Sequence, residues 1–259
     1  MEKYPVLTLD RITKTYPNNT VAVQDLNLQV CAGDFVSLVG ASGCGKSTVL
    51  QLISGLEPAS SGNMLWGEKY SDITQSKLRD RDLAFVFQEA SLMPWATVRD
   101  NIYLPLKLAR IPSNRSNILV REAIDLVGLT EFEKCYPREL SGGMKMRVSI
   151  ARALVTQPQI LLLDEPFGAL DELTREKLNS ELLTLWQEKN WTVIFVTHNI
   201  YEAVYLSNRV LVMSSHPGSI FAEIPISAPY PRSEDFRTST ICNEYCRQVS
   251  LKLREAMQS

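Results

Sequence analysis

Residues 35–48 read FVSLVGASGCGKST, from Phe35 to Thr48. The apolar run Phe35–Val39 reads as a buried strand, and Lys46–Ile53 carries a helical pattern. Between them, Gly40, Gly45, Lys46 and Ser47 have the spacing of a phosphate-binding loop, in the strand-to-helix context this motif requires. Glycines let backbone N–H groups curl around phosphate oxygens, and the helix N-terminus adds a favourable dipole. Gly40, Ala41, Ser42, Gly43, Cys44, Gly45, Lys46, Ser47 and Thr48 are therefore assigned to a nucleotide. Lys46 is expected to reach the β- and γ-phosphates, and the Ser47 hydroxyl to ligate Mg²⁺. Cys44 has two readings: a thiol whose pKa the surrounding N–H groups lower, so that alkylation blocks nucleotide binding, or an inert small residue.

Working outward, continuous apolar runs at Leu83–Phe87, Ile160–Leu163, Thr192–Val196 and Val210–Met213 suit a parallel sheet covered on both faces. Helical patterns at Leu173–Glu188 and Asn199–Leu206 alternate with them, giving an α/β layered core. The opening runs Val6–Ile12 and Val21–Val30 alternate instead, and predict antiparallel strands. Residues from about Glu89 to Gln157 read as a mostly helical insertion. Within it, Ala109–Asn117 (ARIPSNRSN) reads as a loop, followed by an amphipathic helix around Ile118–Val127. Beyond Pro217 the chain turns Pro- and Ser-rich, then closes with a helix from about Asn243 to Met257. The expected division is 1–88 and 158–216 for the two parts of a nucleotide-binding core, 89–157 for the helical piece, and 217–259 for a strand, tail and helix.

Ile160–Leu163 delivers Asp164 and Glu165 to the carboxyl end of a strand, where open α/β sheets place their ligands. Asp164 can hold Mg²⁺ directly or through water, and Glu165 is then placed to polarise an attacking water. Neighbouring side chains on a strand point opposite ways, but a turn at the strand's end lets both face one site. Gln88 and His198 also end apolar strands. Gln88 could order Mg²⁺ or the water, and His198 could contact the γ-phosphate. Between the loop and the acidic pair, Leu140–Met144 reads LSGGM. That turn suggests a nucleotide gripped by two copies of the chain, one giving the loop and the other the Ser-Gly-Gly.

The bulk numbers exclude some classes. A net charge of −2 and a pI of about 5.8 give no basic footprint for nucleic acid. No run approaches the roughly 18 apolar residues of a membrane span, and the first residues lack a signal-peptide plan. The expectation is a soluble protein that meets a membrane only through a partner. The 5 cysteines (Cys31, Cys44, Cys135, Cys242, Cys246) are scattered and predict free thiols.

Together these residues resemble the ATP-binding-cassette (ABC) ATPase family along nearly the whole chain. GASGCGKST is similar to its Walker A motif, Gln88 to its Q-loop, Leu140–Met144 to its signature and ILLLDE to its Walker B motif. Ala169-Leu170-Asp171 is similar to the D-loop and His198 to the switch histidine. The resemblance implies a P-loop core with a mixed, mainly parallel sheet, an antiparallel β subdomain and an inserted helical subdomain. It implies ATP and Mg²⁺ as ligands, with Tyr16 stacked on adenine. It also implies a head-to-tail homodimer, or a pair with a paralogous cassette, in which Ser141, Gly142 and Gly143 meet the γ-phosphate held by Lys46 of the other copy and Asp171 lies at the seam. The helical piece would dock on a permease through Leu92, Met93 and Trp95, at the cytoplasmic face of the plasma membrane, in a complex with an extracytoplasmic substrate-binding protein.

The wording of residues 89–108 and of PYPR at 229–232 looks like importers of nitrate, sulfonate, taurine and bicarbonate. An exporter ATPase, or an ABC protein working on nucleic acid or ribosomes, stays open as the alternative. Three positions depart from the pattern: Met144 and Met146 stand where Gln is common, and Asn199 replaces an Asp. Met146 puts polar contacts near the partner's nucleotide in doubt.

Overall fold

The computed structural model describes residues 4–67, 83–168 and 170–258. Ala169, the first residue of the expected D-loop, lies outside them. The described residues form two sheets. In the first, β1 (Pro5–Thr15), β2 (Val21–Cys31) and β4 (Ser61–Trp66) pair antiparallel in the order β2-β1-β4. On β2, Leu26, Leu28 and Val30 face the core while Asn27 and Gln29 face solvent, the period of a half-buried strand. The period slips between Val23 and Leu26, where Asp25 takes a φ of 45° and the pairing register jumps. The sequence reading missed β4, whose opening Ser-Gly-Asn carries no strand signal.

The second sheet runs β5 (Leu83–Val86), β6 (Ile160–Asp164), β7 (Thr192–Val196), β3 (Phe35–Val39), β8 (Arg209–Met213), β9 (Ile220–Pro225). Neighbours are parallel except β8 and β9. Every residue of β3, β6 and β7 is buried, which is why these strands are unbroken apolar runs. Helix α1 (Lys46–Ser54) lies between the sheets: Val49, Leu50 and Ile53 share one core with Leu26 and Leu28 on one side and Leu162 and Val196 on the other.

Helices α2 (Val98–Leu108), α3 (Ser113–Leu126) and α4 (Gly142–Leu154) build a core of their own around Ile102, Leu106, Val120, Ile124 and Val148. α4 also joins the main core, where Met146, Ile150 and Leu154 pack with Phe167 and with Leu178 and Leu182 of α5 (Glu172–Lys189). The expected loop at 109–117 is shorter than its composition suggested, because α3 starts at Ser113. Pro112 caps it with a φ of −55°, a value its ring fixes. Ser116, fully buried, donates its hydroxyl to the Ile111 carbonyl. A polar residue thus becomes part of the first turn.

Beyond α6 (Ile200–Leu206), the chain adds β9, α7 (Glu234–Thr238) and α8 (Thr240–Ala256). Cys242, Cys246 and Val249 of α8 pack on Val204, Val210 and Val212. All five cysteines are free thiols, as expected. Among the described residues, no helix is long and apolar enough to cross a membrane.

Arg232 fastens this tail to the core. Its buried guanidinium donates from Nη1 to the carbonyls of Val204 (2.7 Å), Tyr205 (2.9 Å) and Ser207 (2.8 Å), and from Nη2 to those of Ile226 (3.3 Å) and Ala228 (3.2 Å). The first two are orphan carbonyls at the C-terminus of α6, where a cation is favoured. The Tyr230 ring lies 4.1 Å from the guanidinium carbon and adds a cation–π contact. Burial still pulls the Arg232 pKa down. Replacing Arg232 with Met would strand these carbonyls, so Arg232→Met is expected to destabilise the fold by about 3 kcal/mol. Chemical denaturation checks this, and a loss below about 1 kcal/mol would contradict it.

Candidate functional site

The loop after β3 is shaped by its glycines. Gly43 and Gly45 have φ of 78° and 100°, open to glycine and strained for other residues. A Cβ on Gly45 would come within 2.7 Å of the Ala22 carbonyl, and one on Gly40 within 2.6 Å of Cys44 Sγ. α1 opens on Gly45 with no side-chain cap, so its first N–H groups point out of the helix end. Ser42 and Gly43 form the exposed crest. Lys46 is buried beneath it and donates from Nζ to the carbonyls of Gly40 and Ala41, both at 2.9 Å. Ser47 donates from Oγ to Asp164 Oδ1 at 3.1 Å.

Cys44 points inward and is 1% exposed. Burial pushes its thiol pKa up, and the pull of Lys46 in the other direction does not offset it. The expectation of an activated thiol is overturned. The inert reading holds.

Asp164 is also buried, and loss of hydration pushes its carboxyl pKa up against the hydrogen bond from Ser47; the neighbouring Glu165 adds to the rise and Lys46 opposes it. Next to it the backbone turns. Glu165 has a φ of 46°, with its N–H on the Val196 carbonyl at 2.9 Å. This turn resolves the problem of two adjacent side chains, since both carboxylates leave β6 toward the same edge. Glu165 Oε2 lies 3.4 Å from Gln88 Nε2 and 3.1 Å from His198 Nδ1. Three strand ends therefore meet on one carboxylate oxygen. Gly168 lies against the pair: a Cβ there would come 3.8 Å from His198 Cε1 and 3.9 Å from Glu165 Oε2. Sequence reasoning missed Gly168.

Asn199 caps α6, its Oδ1 accepting from the N–H groups of Tyr201 (2.9 Å) and Glu202 (3.2 Å). Asn and Asp are near equals in that role, so the departure at 199 removes a charge and keeps the cap. Tyr16 is half-buried beside α1, with its hydroxyl 3.3 Å from Thr48 Oγ1 and Lys14 Nζ 5.1 Å from its ring centre.

Ser141, Gly142 and Gly143 stand apart from this cluster at the start of α4. Ser141 and Gly142 are exposed, and the Ser141 hydroxyl accepts from the Met144 N–H at 3.2 Å. Gly143 abuts Leu170, whose Cδ2 would lie 2.8 Å from an added Cβ. Asp171 follows and caps α5 by accepting from the Thr174 N–H at 3.0 Å, which holds its carboxyl below the usual range. Met146 is 3% exposed and packs into the main core. Its side chain thus offers little surface to a partner.

Of the three candidate docking residues, Trp95 is 76% exposed, while Leu92 and Met93 are half-buried. The fully buried Asn101 holds this loop. Its Oδ1 accepts from the Met93 N–H at 2.8 Å, and its Nδ2 donates to the carbonyls of Met93 (3.2 Å), Ala96 (3.0 Å) and Thr97 (2.9 Å). A lone Asn three residues into a helix gave no sequence signal for this.

Residues 23–168 match the family model described as ABC transporter. The aliphatic sulfonates import ATP-binding protein SsuB of Bacillus cereus is 45% identical over 232 residues, covering 88% of this chain and 89% of that protein. An uncharacterized ABC transporter ATP-binding protein of Methanocaldococcus jannaschii is 42% identical over 247 residues, covering 95% and 90%. The dimeric structure of a bacterial ABC transporter cassette superposes with a TM-score of 0.77 at 33% identity, covering 86% of this chain and 100% of that one. A post-hydrolysis dimer of such a cassette, bound to ADP and Pi, also gives 0.77, at 32% identity, with the same coverage of 86% and 100%. By these similarities the chain belongs to the ABC transporter family, as an ATP-binding subunit that hydrolyses ATP in transport.

Proposed function

We propose that this chain powers a membrane importer for a small anion such as nitrate, an aliphatic sulfonate, taurine or bicarbonate. Identity of 45% to aliphatic sulfonates import proteins, along most of both chains, supports the importer reading. The hydrolytic role rests above all on Glu165, set by its backbone at the meeting point of Gln88 and His198. The four-part division at residues 88, 157 and 216 belongs to the same reading.

On this reading, the N–H groups of residues 40–48 cradle the phosphates, Lys46 exchanges its two carbonyls for phosphate oxygens, and Tyr16 stacks on the adenine. The Glu165 carboxylate accepts a hydrogen bond from the attacking water and polarises it. His198 orients Glu165 and reaches the γ-phosphate. The site also fits a divalent cation: Asp164 is a buried carboxylate relieved by one hydroxyl, and Ser47, Asp164 and the Gln88 amide make an all-oxygen donor set. Mg²⁺ held there would neutralise charge on the phosphate oxygens.

Ser141, Gly142 and Gly143 form the N-terminal end of a helix, Ser141 and Gly142 exposed and the Ser141 hydroxyl holding only the Met144 N–H. An end of this kind binds anions, and we assign it to the ATP of a second copy, or of a paralogous cassette, with Asp171 at the seam. Trp95, backed by Leu92 and Met93, is assigned to a permease at the cytoplasmic face of the membrane. An extracytoplasmic binding protein would complete the complex.

Glu165→Gln keeps the size of the side chain and removes the base. ATP hydrolysis is expected to fall by about 10²–10⁴-fold, and an ATP-bound dimer to accumulate, read by light scattering in saturating Mg-ATP. A monomer under those conditions overturns the two-copy site.

The raised pKa of Asp164 means that the fold binds its proton more tightly than the unfolded chain does. That contribution is complete below the ordinary value of 3.8 and is lost as pH rises through the raised one. At pH 7 the ionised carboxylate therefore weakens the nucleotide-free fold. Asp164→Asn is expected to raise its thermal midpoint at pH 7 by roughly 2–4 °C, with the gap closing as pH falls, while hydrolysis is lost. A lowered midpoint would contradict the role.

A further inference from the structure

Two turns meet at Glu165 and His198. One leaves β6 toward α5 and the other leaves β7 toward α6. Arg175, on the first turns of α5, spans the first: it donates from Nε to the Phe167 carbonyl at 3.3 Å and from Nη2 to the Leu170 carbonyl at 2.9 Å, while Nη1 pairs with Glu172 at 2.9 Å. Glu202, buried on α6, holds the second. Its Oε2 accepts from Thr197 Oγ1 at 2.6 Å, and that same Oγ1 accepts from the Asn199 N–H at 3.0 Å, so His198 is bracketed on both sides. Across the gap, Arg175 Nε faces Glu202 Oε1 at 3.6 Å, with side chains 18% and 6% exposed.

The contacts close a ring. It runs from Glu165 through the Gly168 turn to Arg175, on to Glu202 and Thr197, and back through His198 to Glu165 at 3.1 Å. A buried ion pair gives little net stability over apolar residues of the same volume, because dehydrating both charges offsets their attraction. What such a pair does supply is one fixed separation between the elements that carry it. Here those elements carry the two groups whose spacing the chemistry needs.

Resting on the roles proposed above for Glu165 and His198, we propose that Arg175 and Glu202 are positioning residues that hold these two side chains in register. The ring also ties them to Leu170, which lies beside Gly143 and precedes Asp171. A shift of that segment, at the edge where a second copy is assigned, would move the Arg175 fork and with it the Glu202–Thr197–His198 arm.

The test uses the full chain and two variants. Glu202→Gln keeps the size and the acceptor for Thr197 but removes the charge. Arg175→Lys keeps the charge but cannot span two carbonyls with a planar fork. Each is expected to lower kcat for ATP by roughly 10- to 100-fold, as small misplacements of reacting groups do. KM for ATP should stay within about twofold, and the loss in kcat should persist when each variant is assayed well below its own thermal midpoint, the mark of a defect after binding and not of unfolding. An unchanged kcat, or a loss that tracks KM and the midpoint together, overturns the proposal. Glu165→Gln, assayed alongside, separates the two levels. If it is inactive while both variants match the parent, the positioning role alone falls. If it hydrolyses ATP like the parent, the role of Glu165 falls and this inference falls with it.

Discussion

The chain leaves β6 with Glu165 in the left-handed region, a conformation that costs a glutamate on the order of 1–3 kcal/mol. Its N–H is held by the Val196 carbonyl at the end of β7, so the neighbouring strand keeps the turn in place. Were Glu165 extended, its side chain would leave the opposite face of the sheet from Asp164. Gln88 and His198 would then end their strands with nothing between them. The parallel pairing of β5, β6 and β7, which aligns three carboxyl ends, has chemical meaning because of this one turn.

Charge is handled the same way on the other side of Asp164. Lys46 is hydrogen-bonded to two neutral carbonyls rather than to a carboxylate, and the hydrogen bond that relieves Asp164 comes from a hydroxyl, with Lys46 adding a smaller pull from a distance. Both groups are buried. Two charges of opposite sign are thus kept apart at a modest loss of stability, as at many sites where function and stability compete. α1 enforces this separation, because the two sheets grip its apolar faces from both sides.

Much of this was legible in the sequence. The strands of the parallel sheet announce themselves because a strand buried on both faces has to be continuously apolar, and the phosphate loop because phosphate binding forces its glycines and lysine into fixed spacing. Less was legible where a residue's role depends on something distant in the chain. Cys44 had two readings in a loop full of N–H groups, and only the fold, which seats it in one core with Val23, Val49 and Met213, buries it. Ser113–Asn117 looked like a loop because Ser and Asn favour turns, yet Pro112 and the buried Ser116 begin a helix there. PYPR looked like a family marker, and its arginine proves to be the bolt between tail and core. Arg175 and Glu202 lie far apart in sequence and are joined only by the fold.

Trp95 combines exposure with rigidity. The loop that carries it is fastened through Asn101 at both ends of the turn. An exposed indole on a floppy loop would have to lose its freedom at the moment of contact, and the association would be weakened by that ordering. Here the ordering was completed during folding. On the assignment of this face to a permease, the cassette would arrive with its anchor preorganised, and the strength of the contact would lie in how slowly it comes apart rather than in how fast it forms.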